Sequence, residues 1–140
     1  MAGLFDVRHI SVSINRPPND VYAFVANGEN LQRWATGLGH TIRRVGDEWV
    51  AEGPLGEVKV RMVKPNDLGV VNHDVVLPTG AVIHNPIRVV SNGTGSTVVF
   101  TLTRLPGVAE QEFNDDAKTV EKDLTILKAL LERTPRDSST

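Results

Sequence analysis

The sequence predicts an α+β domain in which a curved antiparallel sheet of about seven strands wraps a long C-terminal helix. Turn signals divide residues 40–104 into short strands, and apolar residues recur at helical spacing over residues 109–133. The 140-residue chain has the usual length of one domain and shows no repeat or change of composition. We therefore expect one domain over residues 1–133, followed by a disordered tail over residues 134–140.

The N-terminal part of the chain predicts one strand and two short helices. Residues 9–15 alternate between apolar and polar side chains, which is the period of a half-buried strand. A Pro-Pro pair at 17–18 ends the strand, and the Asn-Asp pair at 19–20 favours the start of a helix. A second short helix is expected over residues 31–35.

The remaining strands share one inner face, because turns near residues 66, 79 and 93 agree on their register. The predicted pairs are Ala51 with Val58, Val60 with His73, Met62 with Val71, His73 with Asn85, Val75 with Ile83, Ile87 with Phe100, and Asn85 with Leu102. The apolar residues of this face are Val58, Val60, Met62, Val71, Val75, Leu77, Ala81, Ile83, Ile87, Val89, Val98, Phe100 and Leu102. Two polar residues, His73 and Asn85, interrupt the face and lie opposite each other.

The C-terminal helix carries one apolar stripe at spacings of three and four residues. The stripe consists of Phe113, Ala117, Val120, Leu124, Leu127 and Leu131. Such a helix, roughly 37 Å long at about 1.5 Å per residue, can cover the inner face of the sheet. Because aromatic residues make up only 5% of the chain, we expect sheet and helix to enclose a cavity, with a filled core as the alternative.

The order of strand, two short helices, six strands and long helix resembles the START-like (SRPBCC) helix-grip superfamily, in its bacterial polyketide cyclase/dehydrase-like branch. The segments that carry the resemblance are Ile10–Ile14, Val21–Val25, Asn30–Trp34, His73–Gly80 and Asn85–Val89. The resemblance covers residues 5–133 and implies a helix-grip fold with a pocket for a hydrophobic small molecule. It also implies that the short helices control entry, and it supplies no shared catalytic motif.

Composition argues against several classes of function. A net charge of −2 gives little electrostatic basis for binding nucleic acid or an anionic membrane. The sequence has no cysteine, which removes thiolate nucleophiles, and its four histidines lack the spacing of a metal site. No signal peptide is recognised, and no apolar run approaches the roughly 20 residues that span a bilayer. We expect a cytoplasmic protein with no metal and no cofactor.

His73 and Asn85 are the main candidates for contact with a ligand. An imidazole and an amide inside an apolar cavity can hydrogen-bond a carbonyl or phenol, although the two side chains can also satisfy each other. Trp34 and Trp49 can stack on a flat ligand or pack as core, and core packing is the preferred interpretation for Trp49. The predicted ligand-binding residues are Trp34, Trp49, Val60, Met62, His73, Val75, Ile83, Asn85, Ile87, Phe100, Leu102, Phe113, Val120 and Leu124.

Charged residues near the sheet give weaker indications. Either Arg43 or Arg44 should face the concave side, and the sequence does not decide which. Arg104 shares the inward parity, and we expect it to pair with an acid in the first turns of the terminal helix. Asp74 should face His84 on the outer surface.

The sequence thus favours a protein that binds a small hydrophobic or lipid-like molecule between sheet and helix, without an assigned reaction. One alternative is a polyketide cyclase or dehydratase that uses His73 as its acid–base group. Another is a protein-interaction module with a filled cavity. We expect a monomer or a weak homodimer formed through Val63, Val76 and Val99.

Overall fold

The computed structural model describes residues 3–36, 41–53 and 56–133. Strand β1 (Val7–Ile14) is followed by helix α1 (Pro18–Ala26), a 3₁₀ turn (Gly28–Asn30) and helix α2 (Leu31–Trp34). The remaining elements are β2 (Thr41–Val45), β3 (Glu48–Gly53), β4 (Gly56–Met62), β5 (His73–Val76), β6 (Val82–Asn85), β7 (Ile87–Asn92), β8 (Gly95–Thr103) and α3 (Glu110–Arg133). The tail predicted over residues 134–140 lies outside the described residues.

The described strands form two antiparallel sheets, whereas the sequence predicts a single sheet of about seven strands. One sheet has the order β1-β8-β7, and the other has the order β2-β3-β4-β5-β6. The additional strand arises at Pro86, which has no N–H and divides one predicted strand into β6 and β7. The expected pairing of Asn85 with Leu102 is not formed, and Thr101 N donates to Pro86 O at 3.0 Å instead.

The register agrees with the prediction on both sides of this break. The confirmed pairs are Ala51 with Val58, His73 with Asn85, Asp74 with His84, Val75 with Ile83, and Ile87 with Phe100. Strand alternation turns His73 and Val75 to the inner face. On the outer face, Asp74 Oδ1 and His84 Nδ1 are 2.6 Å apart.

The pairing of β4 with β5 differs from the prediction by two residues. Met62 pairs with His73 instead of the expected Val71, and Val60 pairs with Val75 instead of the expected His73. The cause is that residues 69–71 pair with β7 before β5 begins, with Val71 N donating to Ile87 O at 3.0 Å. A shift of two residues changes the neighbours but keeps every side chain on its predicted face.

The main core lies where α3 packs against β1 and β8. Every residue of the predicted stripe of α3 is buried except Val120, which is half-buried. Most of the predicted inner face is buried or half-buried, but Ala81 is exposed. Ala81 is exposed because it lies at the turn between β5 and β6, where its carbonyl accepts from Leu77 N at 2.9 Å. A smaller second cluster contains Ala51, Val58 and Val75.

Candidate functional site

A pocket of about 150 Å³ lies where α2, α3 and the strands β5, β6 and β8 meet. Its lining residues are Trp34, Ala35, His73, Asn85, Phe100, Val120, Asp123 and Leu124. Strand alternation brings the polar pair to the wall formed by the sheet, and helical spacing brings Val120, Asp123 and Leu124 to the opposite wall. The pocket is smaller than the roughly 300 Å³ at the lower end for drug-sized ligands, so it suits a single ring or a short chain.

His73 is the buried titratable group of the sheet wall, with 5% of its surface exposed. Its Nε2 lies 3.3 Å from Asn85 Nδ2, across the strand pair that the sequence predicts. Burial lowers the pKa of His73 to about 4, and the nearby Asp74 opposes this shift only in part. The imidazole is therefore uncharged at neutral pH, and it can interact with a ligand as a hydrogen-bonding group rather than as a cation.

Two residues that line the pocket each have a buried nitrogen atom, His73 Nδ1 and Trp34 Nε1, without a hydrogen-bond partner within the described residues. In the assigned orientation, the Asn85 amide donates to His73 Nε2, which places the imidazole proton on Nδ1. Each nitrogen is then an N–H donor without an acceptor. Leaving a buried donor unsatisfied costs roughly 1–3 kcal/mol, and a ligand that supplies an acceptor recovers part of this energy.

Asp123 is a pocket residue that the sequence analysis did not identify. It lies on α3 with 9% of its surface exposed, and its Oδ1 accepts from Thr36 Oγ1 at 2.6 Å and from Thr36 N at 3.2 Å. Burial raises the pKa of its carboxyl, and the hydrogen bonds from Thr36 counter this effect only in part. A signal was available, because Asp123 lies three residues after Val120 and four before Leu127, which is the spacing of the apolar stripe.

The pocket brings together six of the predicted ligand-binding residues, namely Trp34, His73, Asn85, Phe100, Val120 and Leu124. The other eight lie outside this lining: Trp49, Val60, Met62, Val75, Ile83, Ile87, Leu102 and Phe113. Trp49 packs against the 3₁₀ turn so closely that a Cβ on Gly28 would lie 2.2 Å from Trp49 Nε1. Phe113 lies below the Arg8 guanidinium, whose carbon is 4.5 Å from the ring centroid.

The arginines considered in the sequence analysis do not line the pocket. Both Arg43 and Arg44 are exposed, and the register decides between them, because Arg44 pairs with Trp49, which in turn pairs with Val60 of the inner face. Arg44 is thus the one on the concave side, where its guanidinium carbon lies 6.0 Å from the centroid of a Trp49 ring. Arg104 was expected to pair with an acid of the terminal helix, but its Nη1 lies 3.5 Å from Asp6 and its Nε donates to Val108 O at 2.8 Å. The segments before and after the sheet thus supply the partners of Arg104.

Residues 3–36, 41–53 and 56–133 contain no group of three or more His, Cys, Asp or Glu side chains that could hold a metal ion. Within these ranges, no helix has the length and apolar character needed to cross a membrane.

Comparison with known families gives one match over most of the chain. The family model described as "Polyketide cyclase / dehydrase and lipid transport" matches residues 8–133. No curated protein matches the chain at a significant level.

Comparison with solved structures identifies proteins of similar fold. The Aha1 dimer from Colwellia psychrerythraea has a TM-score of 0.70 and 16% identity, with 91% of this chain and 96% of that chain covered. Ara h 8.0201 has a TM-score of 0.65 and 12% identity, with 94% and 100% covered. DynU16, a protein of the dynemicin biosynthetic locus, has a TM-score of 0.68 and 14% identity, with 91% and 47% covered. At such low identity these similarities establish the fold alone.

Proposed function

The chain belongs to the polyketide cyclase/dehydrase and lipid transport family of START-like proteins, and from this membership we propose that it binds a small, mostly apolar molecule in the pocket between its sheet and α3. The ligand would be held mainly by apolar burial against Phe100, Val120 and Leu124, at about 25 cal/mol per Å². The polar groups of the two walls would set its orientation.

The observation that carries this proposal is the pair of unsatisfied donors at His73 Nδ1 and Trp34 Nε1. Folded proteins satisfy nearly all of their buried polar groups, so two such atoms in residues that line one pocket call for an explanation. A ligand carbonyl, ether or hydroxyl oxygen would accept from one or both. The ligand oxygen is already hydrogen-bonded in water, so the gain in free energy on binding comes mainly from satisfying the buried donors of the protein.

Binding without chemistry agrees better with His73 than acid–base catalysis does. A general base is most effective when its pKa lies near the working pH, whereas burial holds the pKa of His73 at about 4. The family description, which names cyclases and dehydrases, nevertheless supports a polyketide cyclase or dehydratase as the second candidate. A cyclase or dehydratase would show turnover that depends on His73, whereas a binding protein would show no turnover.

The proposal includes a cytoplasmic protein that is a monomer or a weak homodimer. Of the three valines expected to mediate a dimer, Val63 is exposed, whereas Val76 and Val99 are half-buried. One exposed valine supplies little of the roughly 1,600 Å² that a stable interface buries in total. Sedimentation at several protein concentrations would test this part of the proposal.

Thermal unfolding in the presence of small ring compounds and short-chain lipids tests the proposed function. A ligand at 100 times its Kd stabilises the folded protein by about 2.7 kcal/mol, which raises Tm measurably. Replacing the pocket histidine in His73→Leu should weaken binding by about five-fold, which corresponds to one hydrogen bond of about 1 kcal/mol. The same replacement on the outer face, His84→Leu, is the matched control and should leave binding unchanged.

The outcomes separate the candidate functions. Stabilisation that depends on His73 but not on His84, without conversion of the compound, supports a binding protein. Conversion of a polyketide intermediate by wild type, lost in His73→Leu, would favour the cyclase. If no compound raises Tm and mass spectrometry finds no molecule co-purifying with the protein, the proposed function is wrong and an interaction module with a filled cavity becomes the better hypothesis.

A further inference from the structure

The charges of the pocket lining are asymmetric. Within the described part of the chain, no lysine or arginine lines the pocket. Asp123 is the only carboxyl group among the lining residues, and the imidazole of His73 is uncharged at neutral pH. A ligand that enters this pocket therefore meets one acidic group and no permanent cation.

The two oxygens of Asp123 have different surroundings. Oδ1 accepts both hydrogen bonds from Thr36, one from the hydroxyl and one from the backbone N–H. These two bonds hold Oδ1 against Thr36, two residues after the end of α2. Oδ2 accepts no hydrogen bond from the described residues, so one strong acceptor remains available in the pocket wall.

We propose that the ligand of this pocket carries a hydrogen-bond-donating head group, an amine or a hydroxyl, which binds Oδ2 of Asp123, and that the pocket disfavours carboxylates. This inference rests on the proposed function and specifies its ligand class. A donor head group forms a charge-assisted hydrogen bond with the carboxylate, which is stronger than a bond between neutral groups. A carboxylate in the same place would face a like charge in a partly desolvated site, with no lysine or arginine among the lining residues to pair with it.

The electrostatics of Asp123 support this ligand class. The raised pKa of Asp123 indicates that burial disfavours its charged form more than the bonds from Thr36 and the nearby charge of Lys122 favour it. A donor at Oδ2 would supply the missing stabilisation. The acceptor end of the same ligand would remain free for the unsatisfied N–H groups of His73 and Trp34.

Three single-ring probes of similar size test the inference: benzylamine, benzyl alcohol and benzoate. Their affinities for the full chain would be measured by NMR titration at pH 7. Wild type should bind benzylamine and benzyl alcohol about ten-fold or more tightly than benzoate. Asp123→Asn, which replaces Oδ2 or Oδ1 by a donor without changing shape, should weaken benzylamine about ten-fold and bring benzoate close to benzyl alcohol.

Two further variants distinguish contact with the ligand from a structural role of Asp123. Thr36→Val removes the hydroxyl bond but leaves the carboxylate, so it should preserve the order of the three probes. Glu121→Gln makes the same acid-to-amide change at an exposed position of α3 and should also preserve it. If Asp123→Asn does not fold, the relative affinities of wild type for the three probes still test the inference. A second test is the pKa of Asp123, followed through the ¹³C shift of its carboxyl, which should fall when benzylamine is added.

The results separate failure of the inference from failure of the proposed function. If benzoate binds wild type as tightly as the other probes, or if Asp123→Asn leaves the order unchanged, the inference is wrong and the pocket still binds ligands. If none of the probes, and none of the compounds of the thermal screen, binds wild type, the proposed function and the inference fail together.

Discussion

His73 gives the folded protein a stability that depends on pH. Its pKa is lowered to about 4 by burial, whereas an unperturbed histidine has a pKa of about 6.5. As pH falls from 6.5 to 4, the unfolded chain takes up a proton that the folded chain does not. The free energy of unfolding should therefore fall by up to about 3 kcal/mol over this window, with little contribution from this group above pH 7.

Urea unfolding at a series of pH values measures this dependence. In His73→Gln, the free energy of unfolding should change much less between pH 6.5 and 4 than in wild type, whatever the stability of the variant at pH 7. His9→Gln, which removes an exposed histidine, should retain the fall because His73 is intact. Equal pH dependence in wild type and His73→Gln would contradict the burial of an uncharged imidazole.

Asp123 has the opposite sign of coupling to pH. Because burial raises the pKa of this carboxyl, the unfolded chain loses the proton at a lower pH than the folded chain does, and stability falls as pH rises through that interval. Asp123→Asn keeps an acceptor for Thr36 but carries no charge. The variant should be more stable than wild type at pH 7, and the difference should close below pH 4. A difference that is the same at both pH values would contradict this assignment.

These two residues also mark what the sequence could predict about the site. His73 and Asn85 interrupt an alternating apolar face, so strand period and turn positions are sufficient to place them together. Asp123 lies on the stripe of α3 but is invisible to a search for apolar residues. Its partner Thr36 is 87 positions away in the sequence, and only the folded chain shows that the two meet.

At the scale of elements, the segment of residues 69–71 determines where β5 begins. Gly69 has a φ of +73°, and a Cβ at this position would lie 2.2 Å from Val89 O. Val89 N also donates a hydrogen bond to Gly69 O at 2.8 Å. Gly69→Ala should therefore combine a backbone cost of about 1–2 kcal/mol with a steric cost of about 1–3 kcal/mol. Chemical denaturation measures the sum.

Gly80→Ala is the matched control for the backbone part of this cost. Gly80 has a φ of +92°, and nothing lies within 4 Å of a Cβ there. It should lose only about 1–2 kcal/mol. If the two variants are equally stable, close packing of residues 69–71 on β7 does not set the start of β5.

The elements show where a sequence argument reaches its limit. Period and turn chemistry predict the faces of β4 to β8, because a face depends only on parity. They did not predict that residues 69–71 pair with β7, which shifts β5 by two positions against β4. The same patterns predict one strand over residues 81–91, although Pro86 within that stretch signals a break.

At the scale of the whole molecule, a pocket of about 150 Å³ lies between the sheet and the helices α2 and α3. A side chain that occupies this pocket would bury apolar surface, at about 25 cal/mol per Å², and would also exclude a ligand. A cavity-filling substitution therefore separates stability from binding.

Val120→Phe is suited to this test, because Val120 is half-buried on α3 and lines the pocket. The added ring should occupy the pocket, raise the free energy of unfolding by about 1 kcal/mol and abolish the increase of Tm caused by ligands. Ala129→Phe places the same ring on the exposed side of α3 and should leave the ligand effect intact. Differential scanning calorimetry with and without ligand measures both quantities. If Val120→Phe keeps the full ligand effect, the ligand binds elsewhere on the protein and the pocket serves another purpose.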